Sequence, residues 1–475
     1  MHAAAGYIAR VSEVSPTFKA FLRSLTRKNA SRLLIAYILW ILFKYRNTTY
    51  GTRPRYDIKG PRGWPLIGNT ILMLSIPRNQ ISQHTELLHK EYGSTWTFSV
   101  PKLGRIIKFC DPDVLEHVLK TNFWAYEKGL VLQEMFADLL GTGIFGADGD
   151  HWRWQRKMAS HIFNVKGFRN YTSSVFVKEA NIVVDYLERM ADEGRIVDMQ
   201  NLFYLFTLDS FGEISFGQSF GCLNRPEEEV EFAAAFDRLN TAVFNRLFAG
   251  AWKVREWITG MNKQVARDKK IINDFAMDII NSRRQHGYEK PQKDLLQLFM
   301  DTDTEDSEPL TDRMLCCLIL NFIISDSSIV PQLVKEVDEV LEGGVPTYEA
   351  CKKMKYSEAC LYEDGTKVYK GEFVSWSSWA MGRSTAIWGP DAREYKPDRW
   401  MTGEKPSPTK FPSFHAGPRT CLGQQFATIE AMTIMGMLFQ KFKFELVNPH
   451  MEPAYVPGLT LPMASGLLMR VERRV

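Results

Sequence analysis

Seven cysteines are scattered along the chain (Cys110, Cys222, Cys316, Cys317, Cys351, Cys360 and Cys421), and one of them sits where chemistry could be done. Cys421 follows a Gly417-Pro418-Arg419 turn. It precedes Gly423, which opens a stretch with Phe426, Ile429, Met432, Met435, Gly436 and Phe439 at helical spacing. The sulfur therefore lies just ahead of a helix N-terminus, where free backbone N–H groups and the helix dipole favour negative charge. Such settings lower a thiol pKa from about 8.5 into the range of roughly 3.5–7.5, and a thiolate is both nucleophile and metal ligand. Three details argue against an inert buried cysteine. The Gly417-Pro418 turn can aim backbone N–H groups at the sulfur. Arg419 is a fixed cation suited to a carboxylate on whatever the sulfur binds. Gly423 leaves room for a flat ligand where it would meet the helix. Nucleophilic catalysis would want a partnered histidine; His415 is close, but no orienting motif accompanies it. The cysteine count is odd and lacks paired-ligand spacing, which argues against a disulfide framework and a structural zinc site and suits a reducing, cytosol-facing compartment.

The stretch Phe414-His-Ala-Gly417-Pro-Arg419-Thr-Cys421-Leu-Gly423 resembles the haem-binding signature of cytochromes P450, Phe-x-x-Gly-x-Arg-x-Cys-x-Gly, with every fixed position present. The resemblance implies that Cys421 is the axial thiolate ligand of a haem (heme b, iron protoporphyrin IX), with Phe414 packed beside the sulfur. Gly417, Arg419 and Gly423 would complete the cofactor loop. His151-Trp152-Arg-Trp-Gln-Arg156-Lys157 is similar to the family's propionate-holding pair: Trp152 and Arg156 share a helix face at i, i+4. An indole N–H and a guanidinium both suit a carboxylate. Glu394-Tyr-Lys-Pro-Asp-Arg399-Trp400 resembles the meander before the haem loop, with Arg399 as its structural arginine.

Finer wording narrows the likeness. Gly143-Ile-Phe-Gly-Ala-Asp-Gly149, Ala380-Met-Gly-Arg-Ser-Thr-Ala-Ile-Trp-Gly-Pro-Asp391 and the Phe-His-Ala-Gly-Pro-Arg form of the loop resemble long-chain fatty-acid ω-hydroxylases. That implies insertion of one atom of O2 into a C–H bond of an apolar substrate. Electrons would come from NADPH through NADPH–cytochrome P450 reductase, at the endoplasmic reticulum membrane with the haem domain facing the cytosol. The phenylalanines of Asn201–Cys222 (Phe203, Phe206, Phe211, Phe216 and Phe220) are compatible with an apolar substrate but read first as core.

These residues need a scaffold. Val165–Glu193, Glu227–Gln285 and Thr311–Ser325 carry apolar residues at three-and-four spacing, while strand-like stretches are short: Thr95–Val100, Arg105–Phe109 and Lys367–Ser378. The expected fold is mainly α with a small β region, a single large domain over residues 70–475. Ahead of it lie a basic leader and membrane anchor (1–46) and a proline-rich hinge (47–69). The apolar run Leu33–Phe43 makes a helix of roughly 16 Å, short of a ~30 Å hydrocarbon core unless Arg32 and Lys44 snorkel. Residues 1–60 carry a net charge of +9 and the remaining 415 residues −5. A near-neutral body with a basic leader suits membrane lipid as a partner and excludes a nucleic-acid binder, whose basic residues would cover a working face.

Two places break the resemblance, and the domain is expected to be incomplete there. Asn321-Phe-Ile-Ile-Ser-Asp-Ser-Ser-Ile-Val-Pro331 begins like the family's oxygen-activating helix and then jumps, near 325–330, without an acid–threonine pair. Lys353–Glu363 looks like the start of the helix whose Glu-x-x-Arg motif locks the core, with Glu363 as its glutamate. Asp364-Gly-Thr follows instead, so no arginine bridges Glu363 to Arg399. Two internal segments are expected to have been lost, through exon loss or gene-model error, which makes impaired turnover or a non-catalytic membrane-bound remnant the alternative reading.

Overall fold

The computed structural model describes residues 27–163, 166–228, 230–248, 251–288, 293–301, 310–326, 359–361, 366–400, 406–451, 453–456, 458 and 461–474. Within them the chain is mainly helical, with three small sheets. The central helices are α7 (Lys166–Asp192), α8 (Met199–Phe216) and α16 (Gln424–Lys441). Along α7 the apolar period buries Phe168, Tyr171, Val175, Phe176, Val183, Val184 and Leu187, and this stripe packs on both α8 and α16. Helix α8 is apolar almost all round and is accordingly a core helix. Asp198 caps it by accepting from Gln200 N at 3.0 Å, and Gly217 ends it at a φ of +73° that only glycine adopts freely.

A second layer is formed by α9 (Glu231–Asn245), α10 (Trp252–Thr259), α11 (Met261–His286) and α13 (Asp312–Asp326). The long helical window read from Glu227 to Gln285 is thus three helices, interrupted after Asn245 and again at Gly260, whose φ is +74°. In front of them lie α5 (Gly129–Leu140) and α6 (Gly149–Phe163), which line the cavity described below.

Strands β1 (Thr95–Val100) and β2 (Gly104–Phe109) form an antiparallel hairpin, and β6 (Phe373–Trp376) joins β2 in parallel, from Ile106 opposite Phe373 to Phe109 opposite Trp376. This places Trp376 at the sheet's edge beside the cofactor loop. Segment 47–69 is non-helical, as its prolines require, but it is no free spacer. Asn69 accepts from Ser99 N at 3.0 Å, and the buried Arg55 pairs with Asp57 at 2.6 Å and with Glu372 at 2.8 Å, fastening the segment to the sheet.

One expectation changes. Ala359–Leu361, read as part of a helix start, is strand β4, paired antiparallel with β5 (Lys367–Tyr369). A neighbouring strand offers these residues ladder hydrogen bonds that an interrupted helix cannot. Glu363 itself lies outside the described residues, as does Pro331. The apolar run forms α1 (Arg27–Lys44), with Leu33, Leu39 and Phe43 exposed, yet no helix among the described residues is long and apolar enough to cross a membrane.

Candidate functional site

A cavity of about 590 Å³ opens between α5, α6, the start of α16 and the loop 412–423, within the usual range of roughly 300–1,000 Å³ for cofactor and ligand sites. Its wall brings Phe414, Arg419, Cys421 and Gly423 of the loop together with Trp152 and Arg156 of α6, two stretches far apart in sequence. The loop is built locally. Pro412–Phe414 and Gly417–Arg419 are single 3₁₀ turns, and Cys421 N donates to Phe414 O at 2.9 Å, closing the loop on itself. Gly423 is the N-cap of α16, and a Cβ placed on it would lie 3.9 Å from Cys421 Sγ, so a larger side chain would fill the space beside the sulfur. Cys421 is not in a disulfide.

Gly417 lies outside the cavity wall. Its φ is +66°, and a Cβ there would meet Leu119 O at 1.9 Å. Its role is to let the loop backbone cross the Leu119 turn at contact distance. Arg399 is also elsewhere: it donates to Asp391 O at 2.6 Å and Trp388 O at 3.1 Å and pairs with the Asp391 carboxylate, closing the 388–391 turn. Hydrogen bonds from Lys396 and then Arg399 hold the Asp391 carboxyl down at about 2. Among the aromatics of 201–222, Phe211 reaches the cavity, while Phe206 and Phe216 are core.

Three cations converge on the wall: Lys128, Arg156 and Arg419. Among the described residues no Asp or Glu lines it. Arg419 donates to Asp148 Oδ1 at 2.8 Å and lies 4.4 Å over the Trp152 ring. Asp148 Oδ2 in turn accepts from Gly129 N at 3.0 Å and Gln133 Nε2 at 3.1 Å, so one carboxylate ties the cofactor loop to the N-terminus of α5. Arg156 has no hydrogen-bond or ion-pair partner for its guanidinium among the described residues. Burial pulls it down to about 10, and the facing Cys421 sulfur partly offsets that. Lys128, which donates to Phe145 O, is pushed down to about 7, chiefly by burial and then by Arg419. His415 stands at φ +65°, edge-on to Trp376 at 5.3 Å, and is lowered by burial.

Lys128 carries a pH signature. Its pKa in the folded chain, about 7, lies below the ordinary 10.5, so between those values the unfolded chain holds a proton that the folded chain has released. Stability of the haem-free chain is therefore expected to rise with pH across that window, by at most about 1.4 kcal/mol per pH unit. Urea denaturation of wild type and Lys128→Met checks this: the variant's stability should rise less steeply.

The sequence reading missed Lys128 and Asp148. Lys128 belongs to no local motif, and Asp148, although it falls within the quoted stretch Gly143–Gly149, meets Arg419 across 271 residues of chain.

The wall fits an iron porphyrin carrying two carboxylates. It offers one sulfur, a small residue beside it, and three cations against the single neighbouring carboxylate of Asp148, with apolar side chains over the remainder. Among the described residues no group of three or more His, Cys, Asp or Glu is placed to hold a metal ion by itself.

Comparison with known proteins agrees with the site. A sequence profile described as Cytochrome P450 matches residues 58–327 and 363–468. Cytochrome P450 704C1 of Pinus taeda is 34% identical, covering 94% of this chain and 97% of its own. Cytochrome P450 monooxygenase cyp1 of Mycosarcoma maydis is 30% identical over 92% of this chain and 78% of its own, and Cytochrome P450 94B3 of Arabidopsis thaliana is 29% identical over 94% and 98%. The pine alignment is 516 positions long, whereas 94% of this chain is about 447 residues, so about 70 aligned positions have no residue here. With a profile match over most of its length, and a thiol, its loop and its cations gathered in one cavity, the chain belongs to the cytochrome P450 family of monooxygenases.

Proposed function

We propose that this chain is a haem-thiolate monooxygenase of long apolar chains, with Cys421 as the iron's protein ligand and a fatty acid as substrate, oxidised at its ω end. The observation that carries this reading is the cavity itself. Its wall holds the Cys421 sulfur and three half-buried cations, and most of the remainder is apolar: Leu132, Phe136, Leu140, Ile144, Phe145 and Phe211. When bound, the haem supplies dioxygen activation, with electrons from NADPH delivered by a reductase and with thiolate donation favouring O–O cleavage.

The chain's own residues do the rest. Arg156, Lys128 and Arg419 would hold the two propionates, and Asp148 keeps Arg419 oriented through its 2.8 Å ion pair. Trp152 supports Arg419 from below, while Phe414 shields the sulfur from water. The apolar wall admits a hydrocarbon chain and offers a carboxylate no further cation. Attachment to the endoplasmic reticulum membrane through the basic leader and α1, with the haem domain facing the cytosol, completes the proposal. The exposed apolar residues of α1 run round its whole circumference and favour burial in lipid.

A second reading concerns how well this chain turns over. The profile match stops at 327 and resumes at 363, between the two breaks in the sequence pattern. Asn321, in the second half of α13, is a clamp: it donates to Leu140 O at 2.8 Å and Cys317 O at 2.7 Å. It therefore has no amide proton left to relay. We propose that proton delivery is impaired by the lost segment. Haem-loaded protein supplied with reductase, NADPH and laurate is expected to give the terminal hydroxy acid in small yield per NADPH consumed, read by mass spectrometry. Oxidation elsewhere on the chain would contradict the substrate reading, and full coupling would contradict the impairment.

A further inference from the structure

A second cavity, of about 40 Å³, opens where α1 ends, and its wall holds four cations: Lys44, Arg46, Arg55 and Arg105. Among the described residues no Asp or Glu lines it. Arg55 and Arg105 are buried. Arg55 pairs with Asp57 and Glu372, while Arg105, on β2, donates to Thr97 Oγ1 at 3.2 Å and to Thr48 Oγ1 at 3.3 Å. Nε of Arg105, a residue only 6% exposed, has no hydrogen-bond partner: the Glu372 carboxylate stands 3.8 Å away, beyond hydrogen-bond reach. A buried donor left so is unfavourable until an acceptor reaches it. The charges do not balance either. Asp57 and Glu372 answer Arg55 and Arg105, whereas Lys44 and Arg46 have no ion-pair partner among the described residues. The cavity therefore carries an excess of positive charge from these two side chains.

Size, charge and position say what would fill it. A space of about 40 Å³ holds a few waters or one small oxyanion, and no bulky group. Two unmatched cations suit a phosphate monoester, whose charge near neutral pH is about −1.5 to −2, better than a singly charged carboxylate or phosphodiester. Lys44 is the last residue of α1, the helix whose exposed apolar residues are proposed above to lie in lipid. Asn47 of the cavity wall accepts from Gly63 N at 2.5 Å, which brings Trp64 to the same end of α1. Trp64 is 59% exposed and Tyr56, in the wall itself, 75%. Exposed tryptophan and tyrosine beside lysine and arginine are the side chains that sit at the head-group level of a bilayer.

We propose that this second cavity binds a phosphate monoester, the head group of an anionic lipid in the membrane to which α1 attaches. The inference rests on the membrane reading above and adds a specific contact to it. Lys44 and Arg46 supply the unmatched charge at the end of α1, and Arg105 supplies a donor from the sheet. A lipid held between them ties the end of α1 to the β1–β2 hairpin and so fixes how the haem domain sits on the membrane. Free inorganic phosphate has the same chemistry, and the experiment separates the two sources.

Flotation of the haem-loaded full chain is measured with three vesicle preparations: phosphatidylcholine alone, and phosphatidylcholine doped with phosphatidic acid or with phosphatidylglycerol to equal surface charge. Wild type is expected to bind the phosphatidic acid vesicles on the order of tenfold more tightly than the phosphatidylglycerol ones, the worth of one charge-assisted hydrogen bond. The double variant Lys44→Gln, Arg46→Gln should lose that preference. The double variant Lys59→Gln, Arg62→Gln, which removes the same charge from exposed neighbours outside the cavity wall, should keep it. Thermal melts of the detergent-solubilised chain with inorganic phosphate test the other source. Stabilisation by phosphate that Lys44→Gln, Arg46→Gln abolishes, without a lipid preference, keeps the site and makes free phosphate its ligand. Equal flotation with both anionic vesicles and no stabilisation by phosphate overturns the site while attachment through α1 stands, and so does a lipid preference that survives in Lys44→Gln, Arg46→Gln. If the chain floats with no vesicle, the membrane reading falls and the phosphate melt alone decides the site.

Discussion

Replacing Arg246 with methionine is expected to cost about 3–5 kcal/mol of unfolding free energy, because it strands a buried carboxylate. Arg246 is 1% exposed. Its Nε and Nη2 grip Glu256 at 2.7 and 3.1 Å, Nη2 also meets Asp138 at 2.8 Å, and Nη1 donates to Met135 O at 2.9 Å. Burial alone would pull this guanidinium down, but hydrogen bonds to Glu256 and Asp138 outweigh it and raise it instead. Methionine keeps much of the stem's volume above Trp252 and removes the charge. Glu256, equally buried, is then left unpaired. The double variant Arg246→Met, Glu256→Met should recover most of the loss, since a well-packed apolar pair often equals a buried ion pair. Urea denaturation of the single and double variants checks both numbers. A single-variant cost below about 1 kcal/mol, the worth of an exposed pair, would show that the network is solvated. The consequence reaches the site: Met135 and Asp138 belong to α5, whose Leu132 and Phe136 line the cavity.

Cys421→Ser is expected to abolish thiolate-type ligation outright while leaving some haem bound. A serine hydroxyl is neutral at ordinary pH and donates little charge to iron. The carboxylate-binding side does not depend on the sulfur: Lys128, Arg156 and Arg419 remain, and the ion pair of Arg419 with Asp148 at 2.8 Å holds the loop to α5. Haem content and ligation should therefore separate. The check is the carbon monoxide spectrum of the reduced variant beside its haem content. A thiolate-type Soret band that survives the substitution would mean that another residue supplies the ligand. Loss of all haem would mean that the cations do not hold the propionates independently.

Much of this was legible in the sequence where the signal is local. The ten-residue cofactor loop declares the sulfur, and the four-residue spacing of Trp152 and Arg156 puts both on one helical face that does turn to the cavity. The long helices and the β1–β2 hairpin follow from periodicity alone. What was not legible depends on pairs brought together by the fold. Lys128 and Asp148 acquire meaning only when α5 meets the loop. Gly417 sits in the cofactor pattern, yet its glycine is required by Leu119 O, a contact no spacing announces. Arg399 serves the Asp391 turn beside it, and whether it also meets Glu363 lies outside the described residues. Ala359–Leu361 became a strand because an adjacent strand was there to pair with it, a tertiary effect that overrides local helical pattern.

The central claim is that Cys421 sulfur ligates a porphyrin iron in this chain as it stands. The most direct measurement is the difference spectrum of the intact, haem-supplied protein, reduced and exposed to carbon monoxide. A thiolate-type Soret band is the predicted result. A band typical of nitrogen- or oxygen-ligated haem, or no haem bound at all, would contradict it.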